Sequence, residues 1–207
     1  MSKQKDPPGR LVYALGDRLY INLTSGCSLK CQFCLKNNDT GPMVGDVDLS
    51  LGRQPSATEI RKALTDLEGY AEVVFCGFGE PTLRLPTLLE LAEFLKRKNM
   101  PVRLNTDGLA NRVFRRDVTP QFAGRIDRIS VSLNAQDAET YNRLCAPPWP
   151  DAFQYLMDFI RNARDHVEEV SATAIDGLEG VDIEACRRLA EEDLGVMFRP
   201  RPLDDIG

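Results

Sequence analysis

Short β-type runs alternate with helical runs along almost the whole chain. VYALGDRLYINL alternates apolar and polar residues around Gly16-Asp17, which predicts a tight hairpin leading into a first strand at Leu19 to Leu23. Further strands are expected at Glu72 to Cys76, Val102 to Asn105, Arg128 to Leu133, Val170 to Ala174 and Val196 to Arg199. Between them, SATEIRKALTDLEG opens on a capping box, Ser56 with Glu59, and stops at Gly69. Helices are expected at Pro86 to Lys98, in a short stretch capped by Thr119-Pro120, at Asp137 to Cys145, Asp151 to Val167 and Asp182 to Glu192. Parallel strands need crossovers of this length, so six βα-type repeats imply a parallel sheet. An eightfold barrel takes about 250 residues and this chain has 207, so the expected fold is α/β, an open partial (β/α)6 barrel with a mostly parallel sheet. One domain over 1–207 is expected, with 1–10 as a flexible tail.

In such folds chemistry gathers at the carboxyl ends of the strands. TSGCSLKCQFC, GFGEPT and NTDGL all fall there. Residues 37–55, NNDTGPMVGDVDLSLGRQP, lack periodicity and read as a long surface loop, either functional or inert. A net charge of -5 leaves nucleic-acid binding unsupported, because phosphate-backbone binding needs a clustered basic surface. No apolar run reaches the roughly 18 residues of a membrane span and no signal segment opens the chain, so a cytoplasmic protein is expected. In a reducing cytosol six cysteines stay thiols, which turns a tight cluster of them toward metal or redox chemistry.

Cys27, Cys31 and Cys34 put three thiols in one short loop, spaced CxxxCxxC. Structural zinc wants four protein ligands, and neither a further CxxC nor a nearby His completes a set. His166 lies at an expected helix end, where a favourable cation or a plain surface residue accounts for it. An iron-sulfur cube is usually held by four cysteines, so three leave one iron open. Links of three and four residues span at most roughly 10 to 14 Å, so the three thiols serve one small cluster. Another motif is ISVSLNA, in which Ser130, Ser132 and Asn134 share one face and Ile129, Val131 and Leu133 the other. Strands of a parallel barrel are normally apolar on both faces, so a polar stripe lines something wet or ligand-filled, or belongs to a solvated edge.

CSLKCQFC after the first strand, with aromatic Phe33 before the last cysteine, resembles the loop of the radical S-adenosylmethionine (SAM) superfamily. The resemblance implies a [4Fe-4S] cluster on Cys27, Cys31 and Cys34 whose fourth iron is chelated by SAM, and reductive cleavage of SAM to a 5′-deoxyadenosyl radical. GFGEPT resembles the GGEP motif that holds the SAM ammonium, which implies roles for Gly77, Gly79 and Glu80, while Phe78 stands where glycine is common. The family often uses the fourth strand for the ribose and carboxylate of SAM, which carries over to Ser132 and Asn134. VRLNTDGL resembles the NTNG stretch, with Asn105 in place and Asp107 where Asn is usual. Arg199 and Arg201 are read as binders of an anionic substrate or the SAM carboxylate, or as surface charges. Cys76, Cys145 and Cys186 are expected in the core.

Longer stretches, VVFCGFGEPTLRLPTLLELAEFLK and ISVSLNAQDAETYNRLC among them, resemble small TatD-associated radical SAM proteins, implying a link to a TatD-type nuclease. The expected function is hydrogen abstraction from an unknown small-molecule or protein substrate, with flavodoxin or ferredoxin as electron donor. A glycyl-radical-type activase and a 7-carboxy-7-deazaguanine synthase-like enzyme are the alternatives within the class. A non-catalytic iron-sulfur or zinc module is the alternative outside it.

Overall fold

The computed structural model describes residues 9–37 and 41–203. In chain order the strands and helices are β1 (Val12–Leu15), β2 (Arg18–Ile21), β3 (Met43–Val44), β4 (Val47–Asp48), α1 (Ala57–Ala63), β5 (Glu72–Phe75) and α2 (Leu85–Lys96). They continue as β6 (Val102–Thr106), α3 (Ala110–Phe114), β7 (Arg128–Ser132), α4 (Ala138–Cys145), α5 (Ala152–Ala163), β8 (Glu169–Asp176), α6 (Ile183–Arg188) and β9 (Met197–Pro202).

Among the described residues the main sheet has seven strands in the order β1-β2-β5-β6-β7-β8-β9. Only the β1/β2 hairpin pairs antiparallel; every later neighbour is parallel. The alternation of strand and helix is therefore realised as an open, mostly parallel sheet. Among the described residues β1 and β9 do not pair, so the sheet has two edges.

One face of the sheet is apolar and carries the helices. Ile21, Val73, Phe75, Leu104 and Val131 on the strands meet Leu88, Leu91 and Leu95 of α2 and Leu156, Phe159 and Ile160 of α5, all fully or almost fully buried. Those helix positions recur at three- and four-residue intervals, the stripe a helix needs to cover a sheet. The capping box of Ser56 and Glu59 starts α1 as its sequence implies.

The opposite face is polar, and strand register shows why. Asn105 stands beside Ser130 and Ser130 beside Ser171, while Ser132 stands beside Thr173 and Thr173 beside Arg199. In a parallel sheet residues in register share a face, so these side chains form continuous polar rows across the concave side. At the amino ends of the strands Glu72, its carboxylate 5% exposed, binds Arg18 (2.7 Å), Arg103 (3.4 Å) and Arg128 (3.3 Å). Glu72 and Arg103 are the buried members of this cluster, while Arg18 and Arg128 are half-exposed.

Several boundaries differ from the sequence expectation. The long loop contains the β3/β4 hairpin, because Val44 and Leu49 are buried against Tyr13 in a small second core. The final strand pairs Met197 to Pro202 with Ser171 to Asp176, so it runs further toward the carboxyl end than Val196 to Arg199. The last helix ends at Arg188 and passes into a π turn, Leu189–Asp193. The five-residue α3 is too short to leave a periodic signal. The expected tail lies mostly outside the described residues; at its end Arg10 N–H donates to Asp48 O at 2.8 Å. No helix among the described residues is long and apolar enough to cross a membrane.

Candidate functional site

Loops at the carboxyl ends of β2, β5, β6 and β7 meet around a cavity of about 420 Å³. Cys27, Cys31 and Cys34 line it together with Gly77, Gly79 and Glu80. Asn105, Ser132 and Asn134 line it from the sheet side. Arg199 does not: it is exposed on the edge strand, two residues nearer the amino end than Arg201, which does line the cavity. The cavity sits at the carboxyl ends of the strands, so of these two arginines on one face only the later one reaches it.

The cysteine loop is tied down at both ends. Asn22, fully buried, donates from Nδ2 to Leu49 O (2.7 Å) and accepts at Oδ1 from Phe78 N–H (3.3 Å), joining loop, hairpin and GFGEPT. Thr24 Oγ1 accepts from Gly26 N–H at 3.0 Å. On either side of Cys31, Lys30 N–H donates to Cys145 O (3.0 Å) and Gln32 N–H to Leu144 O (2.9 Å). These two bonds satisfy carbonyls that the end of α4 leaves without helical partners. Cys27 is exposed, and Cys31 and Cys34 are half-buried. As the side chains lie, no group of three or more His, Cys, Asp or Glu among the described residues forms a metal-binding set.

GFGEPT presses against this loop. Glu80 N–H donates to Gly26 O at 2.8 Å, and a Cβ on Gly79 would lie 2.1 Å from that oxygen and 2.6 Å from Thr24 O. A Cβ on Gly77 would meet Asn22 Oδ1 at 2.2 Å. Only glycine admits so close an approach. Phe78 packs into the second core, and Lys36 Nζ sits 5.0 Å from the centre of its ring.

Glu80 is 4% exposed and heavily bonded. Oε1 accepts from Thr82 N–H (2.9 Å), Thr82 Oγ1 (2.6 Å) and Thr106 Oγ1 (2.8 Å), and Oε2 from Asp107 N–H (2.7 Å). Burial, with the Asp107 charge adding to it, pushes the Glu80 carboxyl up to about 8 against these bonds. Burial also raises Asp107, which accepts from Leu109 N–H (2.9 Å) and Ser28 Oγ (2.7 Å). Two buried carboxyls side by side make a site suited to a cation.

At the end of β7, Asn134 turns the chain with φ 62° and is 3% exposed. Asparagine tolerates this left-handed conformation better than most residues. Its Nδ2 donates to Cys145 Sγ at 3.5 Å, while its Oδ1 and that of Asn105 are buried acceptors with no protein partner. Buried acceptors are normally satisfied, and a ligand hydroxyl or amine in the cavity would do so. Sequence reasoning passed over Asn22 and Tyr13, because a lone buried polar or aromatic residue carries no spacing signal; of the cysteines expected in the core, Cys145 and Cys186 are buried there, while Cys76 lines the cavity. Asp107, noted there only as a replacement for Asn, proves to be part of the cavity wall.

The sequence profile of the Radical SAM superfamily matches residues 21–192. A probable GTP 3′,8-cyclase of Methanosarcina mazei is 30% identical over 160 residues, 76% of this chain and 43% of that protein. A cofactor-modifying protein for tungsten-containing aldehyde ferredoxin oxidoreductase from Pyrococcus furiosus is 31% identical over 96 residues, 44% of this chain and 23% of that one. The chain thus spans less than half the length of these curated relatives. Among solved structures, Streptococcus suis SuiB bound to its precursor peptide SuiA superposes with a TM-score of 0.69 at 16% identity, covering 94% of this chain and 41% of SuiB. Methylornithine synthase (PylB) superposes with a TM-score of 0.58 at 18% identity, covering 90% of this chain and 53% of PylB. SuiB itself has been solved with S-adenosylmethionine, and the methyltransferase TsrM of Kitasatospora setae with a [4Fe-4S] cluster. The chain therefore belongs to the radical SAM superfamily, enzymes whose cofactors are a [4Fe-4S] cluster and S-adenosylmethionine.

Proposed function

We propose that Cys27, Cys31 and Cys34 hold the [4Fe-4S] cluster and that the neighbouring cavity holds SAM, for abstraction of hydrogen from a substrate not yet assigned. The observation that carries this reading is the seating of GFGEPT directly on the cysteine loop, through Glu80 N–H to Gly26 O at 2.8 Å. The donor set fits the cluster: three thiols of one short loop line one cavity. The unpaired acceptors of Asn105 and Asn134 fit a ligand rich in donors, as a ribose and an ammonium are.

When bound, cluster and SAM supply reductive cleavage of the sulfonium to a 5′-deoxyadenosyl radical and methionine. The chain's own residues bind and orient. Glu80, backed by Asp107, would take the ammonium, and Gly77 and Gly79 let this segment pack against Asn22 and the cysteine loop. Ser132, Asn134 and Asn105 take the ribose and carboxylate. Arg201, in place of Arg199, is the cation for a SAM or substrate carboxylate. Phe78, Val44 and Leu49 cover the cavity from the hairpin side and exclude water. The substrate, a small molecule or a protein segment, would share this cavity, which Tyr13 and Tyr20 also line. The electron comes from a flavodoxin- or ferredoxin-type donor. A link to a TatD-type nuclease rests on sequence resemblance alone.

The test is iron and sulfide content after oxygen-free reconstitution. Cys27→Ala, Cys31→Ala and Cys34→Ala should each lose most of the iron, whereas Cys186→Ser, buried far along the chain, should retain it. Equal iron in all four variants would overturn the assignment.

A further inference from the structure

Tyr13, Leu15 and Tyr20 line the cavity but have no part in holding SAM in the reading above. The hairpin register brings them together. Tyr13 stands directly opposite Tyr20, and Leu15, two residues along β1, shares the face of Tyr13. The two rings stack with centroids 5.3 Å apart and planes 23° apart. Tyr13 O–H donates to Cys76 O at 3.2 Å, and Tyr20 Oη accepts from Arg103 Nη2 at 3.5 Å, with Arg103 itself paired to Glu72. Tyr13 is buried and covers one face of the half-buried Tyr20 ring, so the surface Tyr20 offers the cavity is its other face. Leu15 is 39% exposed, and of the exposed large apolar side chains among the described residues it alone lines this cavity.

Position in the sheet separates this patch from the groups assigned to SAM. Tyr13, Tyr20, Val74, Arg103 and Arg128 stand in one row across the strands. Ser132 lies four residues beyond Arg128, about 13 Å at roughly 3.3 Å per residue. Asn134 and Glu80 follow the carboxyl ends of β7 and β5. The cavity wall is therefore polar where the loops meet the strand ends, and aromatic deeper down on β1 and β2.

We propose that Tyr13, Leu15 and Tyr20 form the subsite for a flat aromatic or heteroaromatic ring of the substrate, with Tyr20 as a specificity-determining residue. This rests on the reading of the same cavity as the place of SAM cleavage. A flat ring gains from offset stacking on an aromatic face in addition to the area it buries, whereas an alkyl group gains from area alone. Rings already fixed by stacking and by their hydroxyl bonds lose little freedom when a ligand arrives. The ring belongs to a small molecule or to an aromatic side chain of a protein segment, and the patch recognises the same chemistry in both.

The measurement is calorimetric binding to reconstituted holoenzyme with SAM bound and the cluster left oxidised, so that SAM is not cleaved. The probes are phenylacetate, cyclohexylacetate as its counterpart without a flat ring, and the pentapeptide Ala-Ala-Phe-Ala-Ala. Wild type should bind phenylacetate or the peptide about three- to tenfold tighter than cyclohexylacetate, the worth of one aromatic pair. Tighter binding of the free acid assigns the ring to a small molecule, and tighter binding of the peptide assigns it to a protein segment. Tyr20→Leu should abolish the preference and Tyr20→Phe should keep it, both with wild-type SAM affinity. Flat-ring probes that bind no tighter than cyclohexylacetate, or a preference that survives in Tyr20→Leu, would overturn the proposal. So would a folded, iron-loaded Tyr20→Leu protein that loses SAM affinity, since the patch would then hold the adenine of SAM. Wild type that binds no SAM would instead remove the reading of the cavity on which the proposal rests.

Discussion

Gly79→Ala tests whether the meeting of GFGEPT with the cysteine loop is as close as the structure has it. The new Cβ would lie 2.1 Å from Gly26 O, 2.6 Å from Thr24 O and 2.9 Å from Gly26 C, all backbone atoms. Ordinary contact is roughly 3.5 Å, so the loop must retreat by about 1.4 Å. A shift of that size breaks the bond from Glu80 N–H to Gly26 O, worth about 1 kcal/mol, and adds overpacking strain of about 1–3 kcal/mol. The expected loss is about 2–4 kcal/mol, or roughly 6–12 °C in Tm at about 3 °C per kcal/mol. The cysteine loop itself moves away from Glu80, so reconstituted iron and SAM binding should fall together with Tm. Gly52→Ala is the control, since a Cβ there meets nothing within 4 Å. Thermal unfolding, iron content and calorimetric SAM affinity read the outcome. A Gly79→Ala protein that matches Gly52→Ala in all three would refute the reasoning.

Three further outcomes follow from the same contacts. Glu80 titrates at about 8, above the ordinary carboxylate value of about 4.3, so the unfolded chain ionises first and this group's contribution to stability falls as pH rises across that interval. Asp107→Asn removes the neighbouring charge, so the SAM-free variant should lose less Tm than wild type between pH 5 and 8; parallel Tm profiles would count against the coupling. Glu72→Gln leaves three arginines around a neutral group and should cost about 3 kcal/mol by urea unfolding without lowering iron content. Asp137→Ala removes the cap bond to Thr140 N–H (2.7 Å) at the start of α4 and should cost about 1 kcal/mol by the same assay.

What the sequence made legible follows periodicity and spacing. ISVSLNA announced a two-sided strand because side chains alternate with period two, and the register of Ser130 and Ser132 with Ser171 and Thr173 carries that stripe across the sheet. CxxxCxxC stood out by its spacing and GFGEPT by its resemblance to the GGEP motif, and both stretches line the same cavity. Other features were hidden because they depend on which distant segments meet. Cys145 reads as a core residue until α4 is seen to end against the loop around Cys31. The β3/β4 hairpin gives no alternation in two-residue strands; Asn22, Ser25 and the small apolar core hold it, with Leu51 N–H donating to Ser25 Oγ at 2.8 Å. Arg199 and Arg201 look equivalent in PRP-type sequence, and only the extension of β9 to Pro202 separates the one on the cavity from the one on the exposed edge.

The most direct test of the central claim, that the three thiols and GFGEPT form a single SAM-cleaving centre, is the yield of 5′-deoxyadenosine from iron-loaded protein reduced with dithionite in the presence of SAM. The account predicts that wild type releases 5′-deoxyadenosine and methionine and that Cys34→Ala releases neither. Fully iron-loaded wild type that leaves SAM intact under these conditions would contradict it.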